Sequence, residues 1–171
     1  MQPQNQGVRV SEGYLGQGRL PYSLKEMTLL RFSQEHDDLE SPSYAHPGDA
    51  GFDICAAVPE SGIWIGPNSV VDIPTGLRFE IPPGYEIQIR PRSGLSKSLR
   101  ILNAPGTVDC GYRGEVMVRV AAQPWTTVHI KRGERIAQAV LAPVYQAILE
   151  RIPEVSLDTT RAEGGFGSTG R

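Results

Sequence analysis

Residues 76–95 read GLRFEIPPGYEIQIRPRSGL, and the alternation inside them decides the fold. In Tyr85-Glu-Ile-Gln-Ile-Arg90 apolar and polar side chains alternate with a period of two. That is the pattern of a half-buried strand. Pro82-Pro83-Gly84 is turn chemistry, because proline presets φ and glycine accepts values that other residues avoid. GLRFEI before the turn has strand composition as well, so strand, turn and strand follow one another within 76–90.

The same punctuation runs outward in both directions. Short β-rich runs lie at 27–32, 52–58, 62–65, 70–73, 115–122, 126–130, 136–144 and 144–150, among 19 glycines and 14 prolines spread along the chain. IAQAVLAPV at 136–144 holds Ala and Gln that suit a helix, but it is short and Pro143 interrupts it, so it reads as a strand. Within the body one helical turn is expected, over Ser93–Arg100. Many short strands with regular turns predict an all-β closed barrel or jelly roll. One domain is expected over 26–150. A polar, flexible extension (1–25) precedes it, and a linker with a Gly-rich arm (151–171) follows.

The totals exclude several functions. A formal net charge of −2 over 171 residues argues against a generic nucleic-acid surface. No apolar run approaches membrane-spanning length, and the first thirty residues lack the apolar segment of a secretory signal. Cys55 and Cys110 lack metal-ligand spacing, and His36, His46 and His129 are scattered. A cytoplasmic protein with free thiols and no zinc site is therefore expected.

Chemistry concentrates in five places. In Asp49-Ala-Gly-Phe-Asp53, Asp49 suits a turn, whereas Asp53 is unusual at a strand start and could hold the hydration shell of a divalent cation. Pro91-Arg-Ser-Gly-Leu95 follows a strand and opens a turn. Arg92, Ser93 and the Gly94 backbone could form an anion cradle there, or an ordinary Ser-Gly loop. Asn103 to Glu115, NAPGTVDCGYRGE, looks like a β-hairpin. Its Asp109 could take a proton from water, Tyr112 offers a flat face, and Asn103 offers a donor and an acceptor; a surface hairpin with turn-forming Asn and Asp is the alternative. In Gly133-Glu-Arg-Ile-Ala-Gln138, Glu134 and Arg135 could be a solvated turn pair, while Gln138 needs a partner if buried and could orient a water. The fifth place is the tail RAEGGFGSTGR, where Phe166 sits amid glycines that cost entropy to order.

These five segments, DAGFD (49–53), PRSGL (91–95), NAPGTVDCGYRGE (103–115), GERIAQ (133–138) and RAEGGFGSTG (161–170), stand in the order of the five motifs of trimeric dUTPases. The chain resembles that family from about 27 to 170. Gly111, Glu134 and Ala162 depart from residues common in it, and residues 1–25 have no counterpart.

The resemblance implies a jelly-roll homotrimer with active sites shared between subunits. It also implies Mg²⁺-assisted hydrolysis of dUTP to dUMP and pyrophosphate, which limits uracil in DNA and supplies dUMP for thymidylate synthesis. Asp109 would activate the water with help from Gln138. Arg92, Ser93 and Gly94 would hold the phosphates, and Asp53 would reach the ion through water. Asn103, Thr107, Val108, Tyr112 and Met117 would line the nucleoside site. From the tail, Phe166 would stack on uracil while Arg161, Gly167 and Ser168 contact phosphates. A dCTP deaminase of the same fold, a trimeric nucleotide-binding module with 1–25 as its handle, and a carbohydrate-binding jelly roll are the alternatives.

Overall fold

The computed structural model describes residues 27–160. Among them are eleven strands and no helix: β1 (Arg31–Gln34), β2 (Phe52–Cys55), β3 (Ile63–Ile65), β4 (Val70–Pro74), β5 (Leu77–Glu80), β6 (Tyr85–Pro91), β7 (Leu99–Ile101), β8 (Gly106–Val108), β9 (Met117–Ala122), β10 (Val128–Ile130) and β11 (Arg135–Pro143). With no long apolar helix, none of the described residues forms a helix that could cross a membrane.

The strands pair antiparallel in four small sheets of a jelly-roll-like fold. These are β2-β11-β6-β8, β4-β9-β7, β1-β5 and β10-β3. Alternation in sequence becomes two faces in space. Along β6, Ile87 and Ile89 turn inward while Gln88 and Arg90 turn outward. All four sheets feed one core. Ile54, Ile87 and Ala139 come from the first sheet, Ile73, Val118 and Val120 from the second, Phe79 from the third and Ile130 from the fourth. Most of these side chains are β-branched, which suits a pleated surface.

The turn at 82–84 forms, with Tyr85 N donating to Pro82 O at 3.2 Å and Gly84 at φ 84°. It does not make a hairpin. β5 pairs with β1 while β6 pairs with β11 and β8, so the turn carries the chain from one sheet to another. Thr75-Gly76 does the same between β4 and β5, with Gly76 at φ 66°. Thr75 is buried there; its Oγ1 donates to Val116 O at 2.6 Å and accepts from Leu77 N at 3.2 Å.

Two expectations change. The run 144–150 is not a strand. Val144 N donates to Gly84 O at 2.8 Å, and residues 145–160 beyond it are exposed and belong to no strand. Tyr145, Ile148 and Leu149 are over 90% exposed. The expected helical turn over Ser93–Arg100 closes one α-type bond, Leu99 N to Leu95 O at 2.9 Å, and stops because Leu99 enters β7.

Thr75→Val keeps the shape and removes the hydroxyl, leaving Val116 O buried without its donor. It should cost about 1–3 kcal/mol. Urea unfolding at one fixed protein concentration measures this.

Candidate active site

Residues 102–116 leave the sheet between β7 and β9, which pair with each other. The neck of this excursion is closed by Leu102 N donating to Arg119 O at 2.7 Å. The side chain of Asn103 then continues the ladder where the backbone has turned away. Its Nδ2 donates to Met117 O at 3.0 Å, and its Oδ1 accepts from Arg119 N at 2.9 Å. An amide has two donor hydrogens and two lone pairs, so one of each remains.

The segment is not the expected hairpin. β4 pairs one side of β9; on the other, β7 pairs Val120–Ala122 and Leu102 with the Asn103 side chain takes Met117 and Arg119, so β8 has no free edge of β9 to join. It pairs with β6 instead, placing Val108 opposite Ile87 and Gly106 opposite Ile89. Gly106 is needed for this fit, because a Cβ there would collide with Asn103 O.

Between β8 and β9 lies a pocket of about 230 Å³. It gathers six residues singled out in the sequence: Asn103, Thr107, Val108, Asp109, Tyr112 and Met117. Asp109 is exposed, and its carboxylate bonds to nothing among the described residues. Tyr112 N donates to Asp109 O at 3.0 Å, and Tyr112 Oη donates to Glu115 O at 3.0 Å. Glu115 anchors the far end of the excursion. Its Oε1 accepts from Thr75 N at 3.0 Å and Gly76 N at 2.8 Å.

A second cluster forms at the end of the four-stranded sheet. Gln138 on β11 stands opposite Asp53 on β2 and Arg90 on β6, so the three share one face. Arg92 Nε lies 2.8 Å from Asp53 Oδ1, and Arg135 Nη1 lies 3.3 Å from Asp53 Oδ2. Arg92 Nη1 also donates to Arg135 O at 3.2 Å. Gln138 Nε2 donates to Pro91 O at 2.9 Å. Gly51 leaves room for that amide, since a Cβ there would sit 2.9 Å from Gln138 Oε1. In the following turn the amides of Ser93 and Gly94 donate to nothing among the described residues. Two free N–H groups beside a fixed guanidinium make an anion cradle.

The carboxylate of Asp53 thus serves two guanidinium groups, a setting that is electropositive overall. No group of three or more His, Cys, Asp or Glu residues that could hold a metal occurs among the described residues. With one carboxylate between two guanidinium groups, the donor set does not fit a resident cation. Burial, followed by the charges of Glu40 and Asp53, pushes the neighbouring Cys55 thiol up, which keeps it protonated and inert.

Several residues serve in ways that the sequence did not distinguish. Asp49 Oδ2 accepts from His46 N at 2.8 Å, so Asp49 is a turn former. Glu134 Oε2 accepts from Lys131 N at 3.0 Å, a turn brace, whereas Arg135 leaves that turn for Asp53. Glu115, Gly51 and Arg135 carry no local signal, because their partners lie far away in the chain. None of Asp53, Arg92, Ser93, Gly94 or Gln138 lines the 230 Å³ pocket. Arg161, Phe166, Gly167 and Ser168 lie outside the described residues.

A family model described as dUTPase matches residues 37–170. A deoxyuridine 5'-triphosphate nucleotidohydrolase of Bdellovibrio bacteriovorus is 51% identical over 138 residues, covering 80% of this chain and 90% of its own length. One from Picosynechococcus sp. is 46% identical over 143 residues, covering 82% and 98%. The dUTPase of Staphylococcus bacteriophage 80alpha, solved with dUPNHPP, aligns with a TM-score of 0.75 at 26% identity, covering 85% of this chain and 100% of that one.

Proposed function

The chain belongs to the dUTPase family, and from that premise we infer that it hydrolyses dUTP to dUMP and pyrophosphate. The observation that supports this most is the single pocket uniting Asn103, Thr107, Val108, Asp109, Tyr112 and Met117. Base, sugar and water-activating groups are then side by side. Asn103, with its spare donor and acceptor, and the neighbouring backbone meet the uracil edge. Such a polar match discriminates against cytosine by about 10⁴ or more. Tyr112 packs beneath the deoxyribose and leaves no room for a 2′-hydroxyl. Thr107, Val108 and Met117 form the wall.

The phosphates repel an incoming nucleophile, and Mg²⁺ carried on them lowers that repulsion. The ion enters as part of the substrate. Asp53, with its carboxylate given to Arg92 and Arg135, would help to hold the ion through its hydration shell. Arg92 offers its fork to the phosphates, and Ser93 and Gly94 offer free amides. Gln138, fixed by Pro91, contributes its carbonyl oxygen to the same shell and orients the attacking water. Asp109 accepts a proton from that water as its oxygen bonds to the α-phosphorus. The bond from phosphorus to the bridging oxygen breaks, and pyrophosphate leaves with the electron pair. Positioning and charge stabilisation carry most of the acceleration.

A homotrimer completes the site. The five residues assigned to phosphate and ion, Asp53, Arg92, Ser93, Gly94 and Gln138, do not line the pocket, and in the proposed trimer a neighbouring subunit brings its own copy of them to it. The bare segment after Pro143 supports the same assembly. Tyr145, Ile148, Leu149 and Val155 face water, and each large apolar side chain buried against a neighbour gains about 1.5–3 kcal/mol. Continuing from it, the tail closes a neighbour's site, with Phe166 over the uracil and Arg161, Gly167 and Ser168 on phosphates. The free thiols Cys55 and Cys110 agree with a cytoplasmic place of work. Residues 1–25 are left for a separate role.

Pyrophosphate release from dUTP, dCTP, dTTP and UTP, with and without Mg²⁺, tests the reading. Fast release from dUTP alone, dependent on the cation, is the expected result. Ammonia released from dCTP would identify a deaminase, and no turnover at all would leave a binding module. Asp109→Asn should bind dUTP normally and lose roughly 10²–10⁴ in kcat; full activity would remove Asp109 from the mechanism. Tyr112→Ala should narrow the gap in kcat/KM between dUTP and UTP by roughly 10–10². An unchanged gap would clear Tyr112 of sugar selection.

A further inference from the structure

Tyr112 stands over a glycine that the main chain does not require. Gly114 is not among the glycines with positive φ, which are Gly48, Gly62, Gly76, Gly84 and Gly133. Alanine would therefore fit the backbone at 114. Space is the obstacle. A Cβ on Gly114 would lie 2.5 Å from Tyr112 Cζ and 3.0 Å from Cε2, and closer still to the hydroxyl.

The ring is the end of a side chain 47% exposed, but it is tethered. Its hydroxyl donates to Glu115 O, and Glu115 is fixed through Oε1 to the amides of Thr75 and Gly76. Rotating the ring away breaks the first bond. Shifting the loop pulls on the second pair. Tyr112 and Glu115 both line the pocket, so either movement alters its shape.

We propose that Gly114 is a specificity-determining position, whose missing side chain sets the Tyr112 ring against the sugar. Selection against a 2′-hydroxyl then depends on a residue that touches no part of the nucleotide. Gly114 acts only through Tyr112, as a positioning residue. The proposal rests on the reading of Tyr112 as the sugar wall given under Proposed function.

A double-mutant cycle tests it, with kcat/KM measured for dUTP and UTP in the wild type, Gly114→Ala, Tyr112→Ala and the double variant. Gly114→Ala should reduce the dUTP/UTP ratio roughly tenfold, and in the Tyr112→Ala background it should change the ratio by less than about twofold. A wild-type ratio in Gly114→Ala beside a relaxed Tyr112→Ala overturns the Gly114 assignment alone. Equal losses in both backgrounds overturn it too, since Gly114 would then act through the loop. An unchanged ratio in Tyr112→Ala removes the sugar reading and this proposal together. If Gly114→Ala unfolds too readily to assay, truncating Tyr112 must restore its Tm, because methyl and ring compete for one space; failure to recover also overturns the proposal.

Discussion

Strand β9 has no free edge. β4 occupies one side, β7 followed by Leu102 and the Asn103 side chain occupies the other, and the shape of the pocket follows from that saturation. Residues 102–116, inserted between β7 and β9, must find their backbone partners elsewhere. They do so at three points. Asn103 extends the ladder with its side chain, β8 takes the open edge of β6, and Glu115 caps the amides at the β4–β5 corner. Between these fixed points the loop arches away from the sheet, and the hollow beneath it is the pocket. The site is therefore a by-product of pairing rules, held open by polar groups rather than carved into the core.

The anion cradle obeys a different constraint. Two guanidinium groups close together repel, and Asp53 reconciles them by sharing one carboxylate. Arg92 is held in place by that carboxylate and by Arg135 O, so its fork is ordered in the chain by itself. Strand register supplies the rest. Because Asp53, Gln138 and Arg90 stand opposite one another, a slip of one residue in β11 would turn Gln138 into the core. Ala137 and Ala139, both fully buried, flank Gln138 and would be turned outward by the same slip.

Much of this was legible in the chain. The alternation in Tyr85–Arg90 marked β6 and its faces correctly, and the shortness of 136–144 with Pro143 marked β11 as a strand. Motif residues 103–117 converge as their order suggested. What sequence could not convey was partnership. Pro82-Pro83-Gly84 announces a turn but not which sheet the next strand will join. NAPGTVDCGYRGE has hairpin composition, yet its pairing depends on which edges are vacant, a property of the whole fold. Apolar residues at 144–150 have strand composition, yet this chain offers them no strand to pair with and nothing to be buried against. Arg135 looked like a turn residue because its carboxylate partner lies 82 positions earlier.

The stretch after Pro143 has a consequence for how such a molecule survives. Taken alone, this chain carries Tyr145, Ile148 and Leu149 into water on backbone that joins no strand. Extended, exposed chain is what proteases cleave, and apolar side chains in a row are what drive clumping. Under the proposed trimer, an excess of unassembled copies would be self-limiting, removed by degradation or precipitation before it could accumulate.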